Sequence, residues 1–212
     1  LGISMKEFQN LTITIDETKV DDFINYISGL SNNWLRDEEK EENVTKFTDA
    51  KMFCFNYLVD SDEYASLWLS EKEAGILYIT NIVPIKVSSL SISEYNEVQK
   101  HFCNDLISRA SHKFSFDFEL TKENIEVEDL LDEDAAKALR AFSNLANKST
   151  GRSHPLDQER WFKFITLAYN SDKKITPEQL EKFLIEDGWD QNYSLDLACD
   201  FEYSIDLLAY IK

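Results

Sequence analysis

The stretch KMFCFNYLVDSDEYASLWLSEKEAGILYITNIVPI, residues 51–85, decides the fold. Lys51 to Val59, Tyr64 to Leu69 and Ile76 to Ile85 are rich in aromatic and β-branched side chains, which suit a pleated, half-buried surface. Asp60-Ser61-Asp62 and Glu71-Lys72-Glu73-Ala74-Gly75 separate them, and both have polar turn compositions. The stretch is therefore expected to be an antiparallel meander.

Toward the N-terminus, Leu11, Ile13 and Ile15 alternate with polar residues between Phe8 and Ile15, the pattern of a strand with one buried face. Thr18 is placed to cap a helix whose stripe is Val20, Phe23, Ile24 and Ile27, and Gly29 stands where a helix end favours a left-handed residue. A short strand is expected around Trp34. The run from Asp37 to Asn43 is so charged that it reads as a solvated turn or loop.

Toward the C-terminus, Ser91 with Glu94 forms a capping box for a helix with Tyr95, Val98, Phe102, Leu106 and Ala110 on its core face. A further strand carries Phe114, Phe116, Phe118 and Leu120 on one face. Past Leu120 the period turns helical. An acidic connector runs from Asp117 to Asp134, and the next helix buries Leu131, Ala135, Ala138, Leu139, Phe142, Leu145 and Ala146. Trp161 to Tyr169 is apolar almost all round, Thr176-Pro177-Glu178-Gln179 opens another capped helix that closes at Gly188, and a last helix runs through Leu197, Phe201 and Leu208. The fold expected is α+β: an N-terminal, largely antiparallel sheet with helices on one face over residues 5–122, followed by an all-helical C-terminal half over 130–212 packed against it.

The 212 residues include 13% aromatics with only 5 glycines and 3 prolines, so the chain is a folded one able to bury a core. Its net charge of −18 repels phosphate backbones and anionic lipids, which argues against direct nucleic-acid or membrane binding and favours encounter with cationic partners. Acidity also serves solubility alone. Cys54, Cys103 and Cys199 lie in apolar patterns without metal spacing and read as buried small hydrophobes. No histidine pair or EF-hand spacing points to a metal, and no motif points to a cofactor. A cytoplasmic, bacterial protein is expected; its oligomeric state is left open.

Between the helices, Lys148, Ser149, Thr150, Arg152, Ser153, His154 and Arg160 concentrate hydroxyls and cations. One reading is an anion pocket at the helix N-terminus that Ser153 or His154 caps, with Pro155 following. The other, preferred because it relieves self-repulsion, ties Arg152 and Arg160 to the protein's own carboxylates. Were the chain an enzyme, His154 with Asp157 would carry acid–base work, but no nucleophile elbow or phosphate-binding loop accompanies them.

The C-terminal helices hold Glu186, Asp187, Asp190, Asp196 and Asp200 around Trp189, Tyr193 and Tyr203. Carboxylates around exposed aromatics are what a binder of a basic protein surface presents; a core placement of the aromatics, with the acids merely solvated, is the competing reading. The function expected is thus an acidic interaction or inhibitory module, of the antitoxin, immunity or anti-restriction type, for a basic protein partner. The alternative is an enzyme or sensor that binds a phosphorylated or other anionic small molecule at the Lys148 to Arg160 loop.

Overall fold

The computed structural model describes residues 4–211, apart from the side chain of Lys72. The chain forms two units: Glu7–Glu123, and the described part of Leu1–Lys6 together with Asn124–Lys212. Strand β1 (Ser4–Lys6) lies in the second unit, paired antiparallel with β8 (Asn124–Glu126), Met5 opposite Ile125. Met5 and Lys6, expected in a sheet domain starting at residue 5, thus belong with the helices. Three residues are too few to show a period, so only the distant pairing defines this strand.

In Glu7–Glu123 the six strands β2 (Leu11–Ile15), β3 (Trp34–Arg36), β4 (Lys51–Val59), β5 (Asp62–Glu73), β6 (Ile76–Pro84) and β7 (Phe116–Leu120) are ordered β3-β4-β5-β6-β2-β7. Every pairing in it is antiparallel. Leu11, Ile13 and Ile15 are buried with Phe53, Phe55, Leu67, Leu69 and Leu77, and α1 (Val20–Ile27) with α3 (Ile92–Phe102) closes that core through Phe23, Ile24, Ile27, Val98 and Phe102. The architecture is α+β, an antiparallel sheet followed by a helical half.

The Ser91 capping box is formed, with the Glu94 carboxylate accepting from the Ser91 amide at 2.8 Å. Beyond Phe102 the helix widens into a π turn, Cys103–Ile107, before the short α4 (Ser108–Ala110). The sequence reason is visible in hindsight: Phe102, Leu106 and Ala110 follow at four-residue steps, each of which drifts about 40° round an ideal α-helix. The wider turn restores the phase, and all three side chains are buried. Irregular backbone at residues 7–10 and the first amide of β2 are satisfied by two buried side-chain amides of α3. Asn96 accepts from the Gln9 amide at 2.8 Å and donates to the Glu7 carbonyl at 2.9 Å, while Gln99 bridges the Gln9 carbonyl and the Leu11 amide.

Residues 37–43, expected as a loop, are helical after Asp37: α2 spans Glu38–Thr45. Glu and Lys are good helix formers, the Asp37 carboxylate caps the Lys40 amide at 3.0 Å, and Glu38 and Glu39 meet the positive end of the helix. Glu41 is buried; it accepts from the Cys54 amide at 2.9 Å where β3 has run out, and Arg36 holds it at 2.8 and 3.0 Å. Burial alone would raise the Asp37 carboxyl, but the Lys40 amide and ammonium and the Asn56 side chain together hold it below the ordinary value. A second correction concerns Gly29, which has no left-handed φ; among the glycines described, Gly75, Gly151 and Gly188 do.

The other unit stacks α5 (Val127–Leu130), α6 (Glu133–Leu145), α7 (Pro155–Asn170), α8 (Pro177–Glu186) and α9 (Gln191–Tyr210). Phe142 lies 4.8 Å from Trp161 and stacks on Trp189 at 5.3 Å, and Phe164 stacks on Phe201 at 5.5 Å. The Thr176 capping box forms as expected, with Pro177 at the first turn of α8. Leu145, expected inside, is exposed, and Phe162 leaves half its surface in solvent.

Two of the three cysteines are core residues, as expected, and burial pushes the thiols of Cys54 and Cys103 up to about 12. Cys199 is the exception: it is exposed, on the solvent side of α9. Iodoacetamide on the native chain should therefore add one adduct, at Cys199, and three only after denaturation, as read by intact and peptide mass spectrometry. Rapid native labelling of Cys54 or Cys103 would contradict this packing.

Candidate interaction surface

The loop between α6 and α7 is held by its own cations. Lys148 places its ammonium 3.1 Å from the Asp187 carboxylate and also donates to the Asp187 carbonyl. The Arg152 guanidinium forks onto Asp200, Nη2 to Oδ1 at 2.9 Å and Nη1 to Oδ2. Arg160 meets Asp157, one turn away, at 2.7 Å. Ser149 donates from both its amide and hydroxyl to Asn147 at 3.0 and 2.7 Å, and the Thr150 amide donates to the Asn147 carbonyl at 3.1 Å.

Two of these carboxylates also reach the core. Asp200 accepts from the indole N–H of fully buried Trp161 at 2.8 Å. Asp187 accepts from the Ser143 hydroxyl, which in turn accepts from the Trp189 indole at 2.6 Å. Gly151 has φ +63°, a left-handed backbone that glycine adopts without strain, and it lies beside the Tyr193 ring of α9.

His154 caps α7, its Nδ1 accepting the Leu156 amide at 3.2 Å. With that nitrogen used and Asp157 committed to Arg160, the two do not form an acid–base pair. Ser153 is exposed. A cleft of about 350 Å³ opens beside the loop, lined by Thr150, Gly151, Arg152, Ser153, Tyr193, Asp196 and Leu197. Arg152 is already neutralised there, and Asp196 brings a negative charge to the wall. Its lining therefore carries no surplus positive charge to favour an anion. Among the described residues no group of three or more His, Cys, Asp or Glu side chains is arranged to hold a metal ion, and no helix is long and apolar enough to cross a membrane.

The C-terminal aromatics divide. Trp189 is only 4% exposed and stacked in the core, so it is not a surface anchor; the acidic residues around it in sequence concealed that. Tyr193 and Tyr203 do reach solvent, the latter 68% exposed. Asp187 and Asp200 are the tether carboxylates just described, Asp190 caps α9 by accepting from the Asn192 amide at 2.9 Å, and Glu186 and Asp196 are exposed.

Helix α9 buries Ser194, Leu197, Ala198 and Phe201. Its opposite side carries Tyr203, Leu207, Tyr210 and, one residue past its end, Ile211, all exposed, with Tyr210 at 89%. At 100° per residue the two sets centre on opposite faces, so the helix is apolar twice. Glu202 and Asp206 flank the exposed stripe on one side and make no ion pair among the described residues. Leu207, Tyr210 and Ile211 escaped the sequence reading because a helix apolar on both faces shows no clean amphipathic stripe. Their signal was the spacing Tyr203, Leu207, Tyr210, Ile211 beyond the last residues needed for the core.

No protein-family model matches the chain, and no curated protein or solved structure matches it either.

Proposed function

We propose that the chain is an acidic interaction or inhibitory module, of the antitoxin, immunity or anti-restriction type, and that it binds a partner with a cationic surface through the outer face of α9. The observation that carries this reading is the exposed stripe of Tyr203, Leu207, Tyr210 and Ile211 edged by Glu202 and Asp206, which make no ion pair among the described residues. Aromatic and aliphatic side chains give the contact its desolvated centre; the acids give attraction and a fast encounter. The net charge of −18 extends that attraction beyond the contact itself. Inhibition on this reading is steric and electrostatic blockade of the partner's basic surface. A cytoplasmic setting belongs to the same reading, since all three cysteines are free.

Capture from lysate of the native host, at low and high salt, tests it with the wild-type chain beside the double reversal Glu202→Lys with Asp206→Lys. The wild type is expected to retain a basic protein in stoichiometric amount that leaves at high salt. The double variant should bind that protein at least tenfold more weakly with an unchanged circular dichroism spectrum, a loss of about 1.4 kcal/mol or more. Equal retention by both chains would sink the proposal.

A further inference from the structure

The sheet of Glu7–Glu123 treats its two edges differently. At one, β3 is only three residues long, and α2 takes over where it stops, Glu41 supplying the acceptor for the Cys54 amide at 2.9 Å. Very short strands and covering helices are how proteins blunt an edge. At the other edge stands β7, Phe116-Asp117-Phe118-Glu119-Leu120, paired to β2 in unbroken register and carrying neither proline, lysine nor bulge. Asp117, Phe118 and Glu119 are all exposed, Phe118 at 44%.

The phase of the β7 backbone follows from one hydrogen bond. The Thr121 amide donates to the Asn10 carbonyl at 3.0 Å, so Asn10 and Thr121 form a hydrogen-bonded pair. Such pairs alternate along an antiparallel ladder. Thr12 with Glu119 and Thr14 with Asp117 are therefore bonded pairs too, and the N–H and C=O groups of Phe116, Phe118 and Leu120 point away from β2. The Phe116, Phe118 and Leu120 side chains share the face of Ile15, Ile13 and Leu11, their cross-strand partners. Asp117 and Glu119 project from the other face, opposite only Thr14 and Thr12, and make no ion pair among the described residues.

We propose that the free edge of β7 accepts an extended segment of a partner protein as a seventh strand, one that presents an apolar residue beside Phe118 and cationic residues beside Asp117 and Glu119. Main-chain bonds to Phe116, Phe118 and Leu120 hold such a strand, and its side chains set the choice. A second copy of this chain is the wrong occupant on charge: a two-fold pairing about Phe118 sets Asp117 against Glu119 twice, and like charges opposite one another destabilise a pair. This edge lies in the other unit from α9 and stands independently of the function proposed above.

The test titrates the full chain with a synthetic octapeptide of alternating lysine and valine, and with its glutamate–valine counterpart, following backbone amides by NMR and hydrogen exchange. Expected are shifts centred on residues 116–120 and at least tenfold slower exchange of the Phe116, Phe118 and Leu120 amides with the lysine peptide alone. Phe118→Pro, which removes an outward N–H at an edge position that tolerates proline, should weaken binding at least tenfold, as should Asp117→Lys with Glu119→Lys. Phe118→Val should keep it, and so should Glu202→Lys with Asp206→Lys on α9. Equal response to both peptides, undiminished binding by both β7 variants, or a wild-type dimer that Phe118→Pro dissolves would each overturn the proposal.

Discussion

Replacing Gly75 by alanine is expected to destabilise the sheet unit by about 2–3 kcal/mol. Gly75 has φ +76°, and a Cβ built on it would stand 2.2 Å from the Ile15 carbonyl oxygen and 3.2 Å from the Glu17 nitrogen. Both obstacles are backbone, so no rotamer change relieves them. The Ile15 amide donates to the Gly75 carbonyl at 2.9 Å, and the Gly75 amide to the Glu71 carboxylate at 2.8 Å. Moving β2 aside costs that first bond, about 1 kcal/mol, on top of roughly 1–2 kcal/mol for a non-glycine residue in left-handed backbone. Urea unfolding measures it. Gly29→Ala is the control: its Cβ would have nothing nearer than 3.8 Å and its φ is ordinary, so it should change stability by less than about 1 kcal/mol. An unchanged midpoint for Gly75→Ala would mean that the β5–β6 turn does not abut β2 as described.

What the sequence disclosed follows from how local each signal is. Residues 51–84 form β4, β5 and β6 because composition and two polar turns act within a few residues, and the boxes at Ser91 and Thr176 each need only four residues. By contrast, α2 was hidden because charge density was read as solvation, when the same Glu and Lys residues favour helix and its single buried residue, Glu41, is itself charged. For Trp189 both a surface and a core placement stood open, because its burial depends on Phe142, far along the chain. The loop tethers are still less local: Lys148 and Asp187 are 39 residues apart, Arg152 and Asp200 are 48. Residue types and the preference for internal tethering were legible there, partners were not. The outer stripe of α9 has a local spacing, but its exposure, like the open edge of β7, depends on what the rest of the fold leaves uncovered.

Removing the Asp200 carboxylate is expected to cost the helical unit about 2–4 kcal/mol, because one side chain serves two partners of opposite burial. Trp161 is fully buried and its indole N–H has Asp200 as acceptor at 2.8 Å; in Asp200→Ala that donor is orphaned, which costs about 1–3 kcal/mol. Arg152 and Asp200 are partly exposed, 36% and 24% in their side chains, so their ion pair adds only about 1 kcal/mol. The two parts separate experimentally. Arg152→Ala removes the pair and keeps the indole bond, so it should cost about 1 kcal/mol. Trp161→Phe leaves the pair and removes the donor. In Asp200→Asn the amide oxygen can still accept from Trp161 but no longer pairs with the guanidinium, so its stability should fall near that of Arg152→Ala. Denaturation followed by helical ellipticity gives each value, and a double-mutant cycle between Arg152→Ala and Asp200→Ala isolates the coupling. If Asp200→Ala and Arg152→Ala lost the same small amount, the indole bond would contribute nothing, and the loop would be anchored by the Lys148–Asp187 pair instead. If neither lost anything, Arg152 would not be committed to Asp200 in solution, and the guanidinium would be free to meet an anion in the cleft beside Tyr193.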